Sequence, residues 1–547
     1  MKKTKRIIAL ILIFLLAAAT GFTGSATQST TYTYTISVDG DWIRTQEGYV
    51  ASGIYMKEAG LLQPGDFFIE GDNFYIADTG NRRIVVYNKK DNEIRDFGND
   101  VLLKPSGVFI KDDKVYVADP EKEAVIVFDK SGNVLLEIGR PQNTPLMSSI
   151  SIFKPHKVAV SSEGSMFVVG EGAYEGLMHF DDKGVFHGYF AANKRNLTIL
   201  ESIQELFFTR QQKEQLFTRK PRAIQNIDIS SRDLLYSVTQ SSEVNYAWSS
   251  AEVKTDNALK LHNMAGTNIL SPNTFMDDEW NFVDVASGPY GNSYALTYTG
   301  LIYEYDSFGN LIFSFGGRAV SNDRYGLFTY ATAIDLDDDG FIYVLDKERG
   351  MIQYFSPTEF SVSTHKAISD LESGNYDDSE ETWSRVLKLN GMSRIAHVGY
   401  GKSLFRQQRY EEALNHFEIA GDRENYSQCI WEIRNNWINK NIIWIIVLMA
   451  VLLVLFVIRG FTKNKKVKYS GYSISDRPKE PIANLLVDLK FGKTMLQHPI
   501  DSLYYFKKGK RGSFLASGIL FVLGFLAYIL DFLLRGFIFQ RTALNGL

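Results

Sequence analysis

Tyr75-Ile76-Ala77-Asp78 followed by Arg83-Ile84-Val85-Val86-Tyr87, and Tyr116-Val117-Ala118-Asp119 followed by Val125-Ile126-Val127-Phe128, are two copies of one pattern. In each, a short run of β-branched and aromatic residues closes on Asp and is bounded by turn formers, which reads as a strand followed by its neighbour. The copies extend outward in parallel. Pro64 leads the first, which ends at Phe97-Gly98; Pro105 leads the second, whose Asp129-Lys130-Ser131-Gly132-Asn133 turns into Val134 to Gly139. Internal repetition of this length means a propeller or a solenoid.

The pattern continues along the chain. A third copy starts at Pro155 and passes Phe167-Val168-Val169, and a diverged fourth starts at Pro221 and passes Leu235-Tyr236-Ser237-Val238. A fifth runs from Phe282 to Gly317, and a sixth holds Ile342-Tyr343-Val344-Leu345-Asp346. The expected fold is mainly β: a six-bladed β-propeller over residues 32–361, with five or seven blades left open by the diverged copies. Tyr32 to Val38 is an orphan strand, and the sixth copy is weak after Phe355-Ser356-Pro357, so the two ends are expected to close one blade together and remove an exposed sheet edge. Residues 197–217 break the rhythm, with Leu197, Leu200, Ile203, Leu206 and Phe207 at helical spacing. They read as an amphipathic helix, either packed on the flank or forming a lid or docking face.

The 547 residues carry 45% hydrophobic and 22% charged residues and a net charge of −4. That balance is globular and gives no basic field for nucleic acid, so no nucleic-acid partner is expected. Cys429 is the only cysteine, which excludes an intrachain disulfide and any cysteine-based metal centre. Lys2, Lys3, Lys5 and Arg6 precede an apolar run from Ile7 to Ala19, and small residues follow; residues 1–26 read as a secretory signal.

A second apolar run, Ile442 to Ile458, reads as a stop-transfer helix (residues 442–459) with Trp444 at its outer interface. Arg459, Lys463, Lys465, Lys466 and Lys468 follow it, placing 460–513 in the cytoplasm by the positive-inside rule. A third run, 514–534, crosses back outward; Asp531 within it is expected to pair with Arg535. Between propeller and membrane, residues 366–436 change to a helical period, with Trp383, Leu387, Gly399-Tyr400, Leu404, Ala413-Leu414 and Phe417. Tyr376 and Tyr410 stand about 34 residues apart, and about one and a half repeats are present where three normally bury a continuous core. This unit is expected to serve as a partner-docking element or a spacer.

Several of these motifs resemble known families. Pro105-Ser106-Gly107, Tyr75-Ile76-Ala77-Asp78 and Asn81-Arg82-Arg83-Ile84 resemble the NHL repeat; NHL propellers imply binding more often than catalysis. Tyr410-Glu411-Glu412-Ala413-Leu414 resembles the tetratricopeptide repeat. Pro481 onward, with Met495-Leu496-Gln497-His498-Pro499 and Leu503-Tyr504-Tyr505-Phe506, resembles the opening of a Yip1-type membrane domain, and the chain ends at Leu547 after what would be that domain's first span. The combination is similar to a bacterial surface family labelled gluconolactonase-like. The resemblance implies a location at the bacterial cell membrane, with the propeller and helical unit outside, and an association with carbohydrate transport.

Aligning the copies places Asp66, Ser106, His156, Lys157, Arg222, Asp284 and Thr332 at the mouth of the central channel, where a propeller binds ligands. A lactonase would need about three oxygen or nitrogen ligands around a divalent metal, and Asp66, His156 and Asp284 are the trio available. Asp78, Asp119 and Asp346 read as turn formers bonding nearby backbone amides. Asp337-Asp338-Asp339-Gly340 lacks the later bidentate Glu of a calcium loop and reads as a solvated turn. No catalytic residue, metal or cofactor is expected. The first reading is a membrane-anchored extracellular scaffold that recognises a carbohydrate, protein or transporter subunit. Its rivals are a membrane-tethered metal-dependent lactonase and a Yip1-type membrane organiser with a sensing propeller.

Overall fold

Strands buried on both faces read as continuous apolar runs, and the two motifs that define the repeat behave this way: every residue from Phe74 to Asp78 and from Val115 to Asp119 is buried. The computed structural model describes residues 31–37, 40–142, 153–171, 176–191, 223–239, 258–271, 281–319, 324–462, 485, 487–489, 491–492, 495, 500, 503 and 514–534. The signal sequence, the helical insertion 197–217, Arg222, nearly all of 460–513 and the Asp531–Arg535 pair lie outside these residues or their described side chains.

The chain forms a six-bladed β-propeller followed by a C-terminal helical region. Blade one is Asp66–Glu70, Asn73–Asp78, Arg83–Asn88 and Ile94–Phe97, an antiparallel meander from channel to rim. Blade two begins with Gly107–Lys111, blade three with Pro155–Val160, blade four with Ile224–Ile229, blade five with Phe282–Ser287 and blade six with Ala331–Leu336. Each inner strand packs on the next, and the sixth packs on the first, so the ring is closed. The apolar cores lie between blades. Phe67, Phe74 and Ile76 of blade one, for example, meet Ala333, Tyr343 and Leu345 of blade six.

Closure comes from the N-terminus, but through a different strand from the one its sequence suggests. Tyr49–Tyr55 is the outermost strand of blade six, paired from Ile352↔Tyr55 to Pro357↔Tyr49. Tyr34–Ile36 instead makes a hairpin with Trp42–Arg44 and adds to blade five at Tyr34↔Ser314. At Gly53 of this strand a Cβ would stand 2.7 Å from the Tyr354 ring, so the glycine there lets that ring lie across the closing strand.

Two compact units divide the chain, one holding the propeller through Glu372 with Arg385–Ser393, the other holding Ser373–Ser384 and the chain from Arg394 onward. In the first, helix α1 (Glu359–Glu372) buries Phe360, Ser361 and His365 against blade five and the closing strand. Helix α2 is Tyr376–Leu389. In the second unit, α3 (Arg394–Arg406) and α4 (Tyr410–Ala420) pack on the start of α5 (Arg423–Thr462) around Leu404, Ala413, Phe417 and Cys429. Gly399 admits the Trp383 ring, which a Cβ would meet at 2.2 Å. The expected stop-transfer run 442–459 is the C-terminal part of α5, and α6 is Phe514–Leu534. Among the described residues one helix is long and apolar enough to cross a membrane.

Candidate functional site

The start of each inner strand places one side chain at the level where the channel opens, and most of these side chains bond sideways. The Asp66 carboxylate of blade one accepts the Val108 N–H of blade two at 2.8 Å, and Ser106 Oγ donates to the His156 carbonyl of blade three at 3.0 Å. Asn226 Nδ2 of blade four donates to the Val283 carbonyl at 3.1 Å, and Asp284 of blade five accepts the Ile334 N–H at 2.8 Å. Deeper in the channel, Asp228 accepts the Ser287 N–H and Asp335 accepts the Ile69 N–H, each at 2.7 Å. These bonds staple neighbouring inner strands, satisfying backbone groups that face no partner within their own blade.

Lys157 of blade three is the cation among these acids. Its ammonium lies 2.7 Å from both oxygens of Asp66 across the level of blade two, where Gly107 presents no side chain. A Cβ on Gly107 would stand 2.4 Å from the His156 carbonyl and 2.8 Å from Lys157 Cα, so glycine is what lets these two blades approach. Burial works against the Lys157 charge, but Asp66 and Asp284 together hold it protonated and raise its pKa. One lysine cannot neutralise two carboxylates. Burial pushes the Asp284 carboxyl up to about 7, against the pull of Lys157 and with the Asp66 charge adding to the rise. Burial raises Asp228 and Asp335 as well.

The sign of the resulting pH dependence follows from linkage. A carboxyl whose folded pKa is raised binds more protons folded than unfolded, so its contribution is present in acid and lost as pH climbs from about 4 toward 7. Asp284→Asn keeps an acceptor for the Ile334 N–H and removes the ionisation. At pH 8 it is expected to stabilise the propeller by roughly 1–3 kcal/mol, at about 1.4 kcal/mol per pKa unit with a discount for channel water, and at pH 4.5 by nothing measurable. Thermal melts of both proteins across that range, followed by β-sheet circular dichroism, check this; a gain at pH 4.5 as large as that at pH 8 would refute it.

The seven residues aligned to the mouth thus separate into groups. Asp66, Lys157 and Asp284 are buried and come together, while Ser106 is a staple between blades. His156 is partly exposed, its Nε2 3.9 Å from Glu171, and burial with Lys104 and Lys154 nearby lowers its pKa. Thr332 is half-buried at the blade six entrance. Asp66, His156 and Asp284 do not form a ligand trio, and among the described residues no group of three His, Cys, Asp or Glu is placed to hold a metal ion. Asp119 accepts the N–H groups of Leu103, Lys104, Glu121 and Lys122, and Asp78 and Asp346 likewise pin adjoining loops. Asp337 bonds the Asp339 and Phe341 amides, Lys89 and the Tyr343 hydroxyl, which makes its loop a turn.

A second polar cluster, absent from the sequence reading, lies inside blade five. Glu304, fully buried, accepts from Asn292 Nδ2 at 2.8 Å and Tyr49 Oη at 3.4 Å and contacts His365 Nε2 of α1. Tyr49 and Tyr294 share a hydroxyl–hydroxyl bond of 2.8 Å beside it. The signal was a lone acid between two aromatics in Tyr303-Glu304-Tyr305, a strand otherwise written for a core.

No family model matches the chain, and no curated protein matches it. Among solved structures, the crystal structure of the major Malassezia sympodialis allergen Mala s 1 is similar at a TM-score of 0.37 and 12% identity, over 54% of this chain and 93% of that one. The assignment as a six-bladed propeller rests on the sheets and ring closure described above.

Proposed function

We propose that this chain is a membrane-anchored binding propeller, held outside a bacterial cell by α5, whose channel mouth recognises a carbohydrate or a protein partner such as a transporter subunit. The observation that carries the reading is Lys157 on both oxygens of Asp66: an ammonium already occupies the carboxylate that metal-assisted lactone hydrolysis would require as a ligand. The buried acids and lysine act as frame, and recognition falls to the less buried mouth side chains His156 and Thr332. Anchoring is supported by the exposed apolar stretch Ile442, Ile443, Trp444, Ile446 and Val447 on α5. The NHL, tetratricopeptide and Yip1 resemblances stay part of this proposal, as does the accessory role in carbohydrate uptake.

The detergent-solubilised full chain tests it. Glycan-array and calorimetric binding are expected to be unchanged by chelator, and His156→Ala is expected to weaken them by about tenfold, the loss of one good polar contact of about 1.4 kcal/mol. Stoichiometric bound metal with chelator-sensitive lactone turnover would overturn the binding reading in favour of hydrolysis.

A further inference from the structure

Within the second unit, His397 of α3 and His416 of α4 face each other with Nδ1 to Nδ1 at 3.0 Å and ring centroids 5.2 Å apart. A hydrogen bond between two Nδ1 atoms needs one to donate and the other to accept, so the pair is satisfied with two neutral rings or with one protonated ring. When both are imidazolium, two N–H groups point at each other and two like charges sit at contact distance, in a half-buried setting where water screens them little.

We propose that the His397–His416 pair is an acid-released latch: it holds α3 against α4 until both rings are protonated, and then lets the two helices part. The acids beside His416 are already engaged. Glu380 of α2 and Glu412 of α4 are near His416, but Arg409 already binds both, at 2.8 and 2.9 Å to Glu380 and at 2.6 and 2.9 Å to Glu412. The Tyr400 ring packs at a tilt against His416 with centroids 4.4 Å apart, and its hydroxyl donates to Glu380 at 3.2 Å. Burial, followed by the His397 charge, lowers the His416 pKa, with Glu412 and Glu380 pulling the other way. A histidine whose folded pKa is lowered binds more protons unfolded, so this packing weakens as pH falls below about 6.5.

The position of the latch gives it a consequence. The same α3–α4 interface contributes Leu404, Ala413 and Phe417 to the core that seats Cys429, near the start of α5. Opening the latch loosens the root of the helix that carries the apolar stretch. Acid therefore strengthens the channel of the propeller and weakens the seat of α5, opposite slopes in one chain.

Cys429 is the sole thiol and fully buried in that core, so it reports the opening directly. In the detergent-solubilised full chain, maleimide labelling of Cys429 is measured from pH 8 to 5 and divided by the rate in urea-unfolded chain at the same pH, which removes the thiolate dependence. Protection is expected to fall by about tenfold between pH 7.5 and 5, one pKa unit of differential protonation, while β-sheet circular dichroism holds. His416→Gln and, independently, His397→Gln are expected to flatten the profile, because neither can form the doubly charged pair. Constant protection in the wild-type chain, or an undiminished fall in both variants, would overturn the latch. Should neither variant pack, the wild-type midpoint is compared with the second protonation seen in histidine ring-carbon NMR shifts, and a mismatch between them overturns it equally.

Discussion

Lys157→Met is expected to destabilise the propeller by roughly 3–5 kcal/mol at pH 7.5, the range for breaking a buried ion pair by removing one partner. The methionine preserves the aliphatic length, so packing changes little and the loss is electrostatic. Asp66 would keep its bond to the Val108 N–H but lose the ammonium 2.7 Å from both its oxygens, and Asp284 would lose the Lys157 charge that opposes its rise. Two controls separate this from a packing defect. Asp66→Asn in the Lys157→Met background is expected to recover most of the loss, since the uncompensated charge goes with it. The single variant should also approach wild type near pH 4, where the carboxyls protonate. Because the chain holds more than one unit, the measurement is the β-sheet melting transition itself rather than a two-state free energy for the whole molecule. A loss that persists undiminished at pH 4 and in the double variant would show that Lys157 acts by shape.

That network explains which parts of the site could be read from the sequence. Aligning the blade starts put Asp66, Lys157 and Asp284 at one level of the channel; in the structure the Lys157 ammonium lies on both oxygens of Asp66, and both charges bear on Asp284. The alignment could not show that they bond to one another and to neighbouring backbones, because those contacts join residues 42 to 91 positions apart. An acid at a propeller mouth looks the same in sequence whether it waits for a ligand or staples two blades. The fold was more legible, because strands buried on both faces leave continuous apolar runs; the first two blades needed nothing else. Closure was harder. Tyr49–Tyr55 reads Tyr-Val-Ala-Ser-Gly-Ile-Tyr, and the Ser52-Gly53 interruption hides a strand across which the Tyr354 ring lies at Gly53. Tyr32 to Val38 alternates more cleanly and reads as the better strand, yet its middle, Tyr34–Ile36, pairs in a hairpin on the edge of blade five rather than closing blade six.

The closing strand is also where the second large effect is expected. Glu304, on the third strand of blade five, is the fully buried carboxyl at which three distant segments converge: Tyr49 from the closing strand, Asn292 and Tyr294 from blade five, and His365 from α1. Tyr49 stacks on Phe315 with centroids 4.5 Å apart, so the polar cluster is walled by rings and has no route to solvent screening. His365→Ala removes a partner from a buried acid and leaves a cavity, and is expected to cost roughly 3–5 kcal/mol. The effect should be directional as well as large. The Tyr290–His365 stack, with centroids 5.6 Å apart, is lost too, so hydrogen exchange should rise first in 359–372 and then in 49–55, ahead of the strands of blades one to three. Glu304→Gln in the His365→Ala background should return part of the stability, because the buried charge is gone, but not the protection of α1, because the contact is not restored. That split between stability and local protection is what distinguishes a fastening of helix and closing strand from a merely well-packed residue. Equal recovery of both in the double variant would mean that Glu304 burdens the core and that α1 is held by Phe360 and its apolar neighbours alone.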